Sequence, residues 1–204
     1  MIETIRSGGI IMIPLGICSV LALAIILERL WNMRREKIIA PDVLVQIHHW
    51  ISQGVVEEAL ALCRRVGTPM TNIVMAALRR NGQSRAALRM TLEDAGRMEA
   101  PVLEKNLNWL GICATVAPLI GLLGTVTGMI KVFRVLALEG PGNPFALAAG
   151  ISEALVTTAT GLIIAIPSLL FYHYFTGKAE TLVSEMEHQS LQLVDLLAGG
   201  EAEG

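Results

Sequence analysis

Charged residues are scarce in this sequence. Asp, Glu, Lys and Arg make up 17% of its 204 residues, against about 25% in ordinary soluble domains. The deficit is concentrated in three stretches, 7–27, 106–130 and 154–177, which hold no charged residue at all. About 20 apolar residues suffice to cross a bilayer, so each stretch is read as a membrane span. Other absences narrow the class further. No basic cluster is interleaved with aromatics, as a nucleic-acid groove requires, so no nucleic-acid partner is expected. Three cysteines make no disulfide framework. Cys18 and Cys113 fall inside spans and Cys63 between them, where each reads as a small buried hydrophobe. The histidines His48, His49, His173 and His188 show no HExxH spacing and no paired carboxylate, so neither an enzyme nor a metal or other cofactor is expected. Sustained period-two alternation is missing too, and with it any strand signal. The opening MIETIRSGG leads into a full-length span and then Glu28-Arg29, which does not fit a cleavable signal.

These exclusions leave an all-α membrane protein. The expected order is an outer N-terminal stub (1–9), a first span (10–30), a cytoplasmic helical region (31–106), a second span (107–133), an outer loop (134–147), a third span (148–175) and a cytoplasmic C-terminal helix (176–204). Orientation follows from Lys and Arg: eleven of the sixteen lie between residues 31 and 105, and none lies in 135–148. The N-terminus is then periplasmic and the C-terminus cytoplasmic. Punctuation inside 31–106 predicts helices. Pro41-Asp42 opens one that Gly54 closes. Thr68-Pro69 caps another that ends at Asn81-Gly82, and Ser84 caps a third over 85–105 that Pro101 interrupts or kinks. This last helix has no strong stop, so it is expected to run on into the second span. After the third span, Leu182, Met186, Leu193 and Leu197 make an amphipathic stripe that carries the helix to Gly199-Gly200.

Against so little charge, Glu153 stands out. It is the one formal charge between Phe145 and Gly177, and a carboxylate at the centre of a span costs about 2.5–3.5 kcal/mol on insertion scales. Thr157 and Thr160 fall on its helical face and Thr158 about 140° away. Two readings stay open. Glu153 forms an ion pair with Lys131 or Arg134 at the helix ends, or it lines a polar passage. One chain of three spans encloses no useful pore, so a passage requires a ring of copies closed by cyclic symmetry. In the second span, Gly121, Gly124 and Gly128 are small residues that let helices approach, as does Gly161 in the third. Thr125 and Thr127 either back-bond to their own helix or line something polar.

The runs APLIGLLGTVTGMIKVF (117–133) and GISEALVTTATGLIIAIP (150–167) resemble the MotA/TolQ/ExbB proton-channel family, most nearly the short ExbB proteins of the TonB system. The resemblance implies a pentamer around the single spans of ExbD-like partners, with protons as the coupling ion, work done on a TonB-like protein, and membrane lipids around the ring. It assigns Thr125, Thr158 and Glu153 to the proton pathway, while Thr157, which helical phase puts with Glu153, is less typical of the pattern. Thr127 stands where a tryptophan is common. A TolQ-like role in envelope constriction and a purely structural membrane scaffold are the rivals.

Overall fold

A computed structural model describes residues 9–140 and 144–199. The expected stub up to residue 8, the loop tip at 141–143 and the tail beyond 199 lie outside the described residues. Those described form eight helices and no strand: α1 (Met12–Asn32), α2 (Arg35–Ile38), α3 (Pro41–Ser52), α4 (Val56–Val66), α5 (Pro69–Leu78), α6 (Arg85–Glu104), α7 (Leu107–Glu139) and α8 (Pro144–Gly199). Three of them, α1, α7 and α8, are long and apolar enough to cross a membrane, with mean hydropathies of 2.0, 1.9 and 2.0. The chain divides into two compact units. One takes the chain up to Glu28 together with Asn106–Tyr174, and the other takes Arg29–Lys105 and the chain from Phe175 on.

In the second unit, helices α3 to α6 pack each on the next in chain order. Their ends follow the local chemistry. Pro69 sits in the first turn of α5, and Thr68 and Thr71 satisfy each other's backbone N–H groups in a capping box. The Ser84 hydroxyl accepts from the Ala87 N–H at the start of α6. Gly54, Gly67 and Gly82 take the left-handed backbone after α3, α4 and α5, a conformation that glycine adopts without Cβ strain. The buried side chains are large and aliphatic, among them Ile47, Met70, Ile73, Leu88 and Leu92. The C-terminal stripe belongs to this core, since Leu182, Met186, Leu193 and Leu197 are all buried. Cys63 is buried with them, and burial pushes its thiol up to about 11, so it stays protonated at neutral pH.

Two expectations about helix continuity fail. Pro101 does not interrupt α6, which continues to Glu104; a proline deletes one backbone donor, and here the helix ends within a turn anyway. The expected continuous helix from region 31–106 into the second span is also absent. Lys105 is extended and Asn106 is left-handed (φ 63°), so α6 stops and α7 starts afresh at Leu107. Asparagine is among the few residues that tolerate this backbone, and its side-chain amide donates to the Glu28 carboxylate at 3.4 Å. The helices extend beyond the residues expected to lie in the membrane. α7 runs past 133 to Glu139, and α8 begins at Pro144.

Candidate proton pathway and the helix seam

The first unit is built on a close antiparallel contact between α7 and α8. Its register can be read from the glycines. A Cβ at Gly161 would lie 2.6 Å from the Ala117 carbonyl oxygen, and one at Gly121 would lie 3.0 Å from the Thr157 carbonyl and 3.1 Å from the Thr158 Cα. One at Gly124 would overlap the Thr157 side chain, and one at Gly128 would come within 2.9 Å of the Gly150 carbonyl. Gly121, Gly124, Gly128 and Gly161 therefore all lie on one seam. Between helices in lipid, where apolar burial gives no drive, such close backbone approach is what packing energy rests on. Leu15 of α1 joins Ala117 and Ala165 in the buried cluster of this unit.

Along that seam the polar groups separate into three kinds. Most hydroxyls turn back onto their own helix: Thr125 donates to the Leu122 carbonyl at 2.7 Å, Thr127 to Gly124 at 3.0 Å, Thr157 to Ala154 at 2.8 Å and Thr160 to Val156 at 2.8 Å. Thr158 differs. Its hydroxyl crosses to the other helix and donates to the Gly121 carbonyl at 3.1 Å. The third kind is ionic: the Lys131 ammonium donates to Glu153 Oε1 at 2.6 Å. Its carboxylate side chain is 18% exposed and its lysine 58%. Arg134 takes no part in this pair.

This geometry reorders the expected pathway residues. Thr157 is fully buried against Gly124 with its hydroxyl committed to Ala154, so within the chain it offers no surface to a lumen. Helical phase put it beside Glu153, and the side of α8 that it shares is the side packed on α7. Thr125 and Thr158 are half-buried. Two positions escaped the sequence reading. Gly150 sits under Val132 with no room for a side chain, and Gly9 lies directly against the Glu153 carboxylate. For Gly150 the available signal was its place three residues before the only charge of the span; Gly9 carried none. Among the described residues no three of His, Cys, Asp and Glu are placed to share a metal ion.

Residues 65–188 match the MotA/TolQ/ExbB proton channel family. A Synechocystis sp. protein named as biopolymer transport protein ExbB-like 3 is 35% identical over 175 residues, which is 83% of this chain and 81% of that protein. The Vibrio cholerae biopolymer transport protein exbB1 is 29% identical over 94% of this chain and 86% of its own length. The Tol-Pal system protein TolQ of Pseudomonas aeruginosa is 39% identical over a shorter stretch, 42% of this chain and 37% of that protein.

Proposed function

This chain belongs to the MotA/TolQ/ExbB proton channel family, and from that premise we propose that it is an ExbB-like subunit of a proton-driven motor in the bacterial inner membrane. In this reading several copies, five by family resemblance, form a ring around ExbD-like single-span helices. The N-terminus is periplasmic, and the Lys/Arg-rich segment 31–105 and the C-terminus are cytoplasmic. Protons move inward with about 2.3 kcal/mol per charge for each 100 mV. A partner carboxylate takes and releases them, and the ring presents it with hydroxyls that donate or accept without a charge of their own. Thr125, Thr158 and Glu153 supply that surface. The resulting motion of the partner helix reaches a TonB-like periplasmic protein that serves outer-membrane uptake.

The observation that carries this reading is the polar seam between α7 and α8. An ion pair and a cross-helix hydroxyl bond join two helices that each contain an apolar stretch long enough to span. Buried polar groups in spans are expensive and mark pathways by default. A scaffold would need the glycines but not these groups. The test is proton flux into liposomes containing this protein and its ExbD-like partner. Thr158→Val combined with Glu153→Gln should abolish flux while the purified assembly keeps its mass. Normal flux in the double variant, or a monomer under mild extraction, would falsify the reading. The similarity to TolQ favours one alternative within the family, a role in envelope constriction. Complementation separates the two, because a TonB-type subunit restores nutrient uptake and a TolQ-type subunit restores envelope integrity.

A further inference from the structure

Glu153 is held on two sides by groups from other segments of the first unit. Lys131 of α7 pairs with its Oε1 atom at 2.6 Å. On the other side lies Gly9, in the turn that leads into α1. A Cβ at Gly9 would overlap Glu153 Oε1, and the Lys131 ammonium nitrogen would lie 3.8 Å from it. Gly9 also has φ +63°, and its carbonyl accepts the Met12 N–H at 3.2 Å in the turn that opens the first helix. Position 9 thus meets two separate demands for glycine. One is the left-handed turn, which asparagine also tolerates. The other is empty space for a carboxylate, which only glycine leaves.

We infer that Gly9 is a positioning residue for Glu153. The turn at the start of α1 closes over the carboxylate, and with Lys131 it fixes where that carboxylate sits and how far it opens to its surroundings. The contact couples the first helix to the seam of the other two at the Lys131–Glu153 ion pair. Its consequence for proton movement rests on the proposed pathway, but the contact itself does not.

Labelling with dicyclohexylcarbodiimide, which dissolves in the bilayer, reads the contact directly. A protonated carboxyl adds across a C=N bond of the reagent, its oxygen to carbon and its proton to nitrogen. Acyl migration then leaves a stable N-acylurea, and no group departs. Mass spectrometry of the α8 peptide follows the adduct on Glu153 in the full-length protein in liposomes, with proton flux measured alongside. Gly9→Ala and Lys131→Met should each raise Glu153 labelling severalfold. Gly9→Asn keeps the left-handed turn but fills the space, so it should label as fast as Gly9→Ala. Gly16→Ala, in α1 with nothing within 4 Å of the added carbon, should label at the native rate. Native-rate labelling in Gly9→Asn overturns the inference whatever the flux does. Fast labelling with unchanged flux leaves the positioning intact and instead removes Glu153 from the proton pathway.

Discussion

Along the seam between α7 and α8, in the unit that holds Asn106–Tyr174, the enclosed positions are small. Ala117, Ala154, Ala165 and the seam glycines are inside, while Leu119, Leu123, Ile163 and Leu170 are exposed. In the other unit the pattern is that of a water-soluble protein, with Ile47, Met70, Ile73 and Leu193 inside and most charges outside. One chain thus uses two opposite rules for what to bury. In water, removing apolar surface is worth about 25 cal/mol per Å², so large aliphatic side chains go in. In lipid that drive is missing, and close contact between backbones takes its place. Along the seam, size rather than hydrophobicity decides what lies inside.

The difference is largest at single buried side chains. Ile47→Ala empties a fully enclosed site of the second unit and should cost about 2–5 kcal/mol, lowering the melting temperature by several degrees. Leu170→Ala, on the exposed side of α8, should stay within about 0.5 kcal/mol when measured in lipid. Equal losses from the two would erase the distinction. The reverse substitution sharpens it. Gly161→Ala forces a methyl against the Ala117 carbonyl, a backbone atom that cannot swing away, and overpacking of this kind costs about 1–3 kcal/mol. Gly177→Ala, in the same helix but with open space around it, should be neutral or stabilising by up to about 1 kcal/mol. Thermal unfolding of the four variants in one lipid mixture checks both pairs.

The two rules also explain what could be read from sequence. The spans, the caps at Thr68 and Ser84 and the buried stripe from Leu182 to Leu197 were legible because each depends on local pattern or on an aqueous core. The break at Lys105–Asn106 was not. It turns on one left-handed residue, and nothing short-range in LEKNLNW demands it. The seam glycines were legible as packing residues from their helical spacing, whereas Thr157 was not placed by phase alone. Periodicity says which residues share a face but not whether that face meets a lumen or a neighbour. Gly9 was invisible because its partner lies more than a hundred residues away in the chain.

Hydroxyls give a smaller contrast within the spanning unit. Thr158→Val removes the one hydroxyl bond described across α7 and α8, and interhelical bonds of this kind in membranes average about 0.6 kcal/mol with a maximum near 1.7. Thr160→Val removes a bond back to its own helix and should change stability less. If flux depends on Thr158 through the pathway, its loss should far exceed the small change in melting temperature. A flux loss that merely tracks the stability loss would make Thr158 a packing residue only.

The smallest effect belongs to the surface of the second unit, where Arg35 of α2 donates to both carboxylate oxygens of Glu185 on α8. The Arg35 hydrogen bond is the main influence holding the Glu185 carboxyl below the ordinary carboxylate range, against a smaller opposing push from burial. The sign follows from linkage. A group whose folded-state value is depressed stabilises the fold fully above its unfolded value, about 4.3 for Glu. That contribution fades as pH falls below it, and Arg35 stays charged throughout. With side chains 52% and 26% exposed, screening keeps the pair within about 0–1 kcal/mol. Arg35→Gln should therefore lower the melting temperature slightly at pH 7 and less at pH 3, with the difference shrinking in high salt. A loss that persists unchanged at pH 3 would assign the effect to packing of the arginine stem, and the charged surface of this unit would then matter no more to its stability than the lipid-facing leucines do to the other.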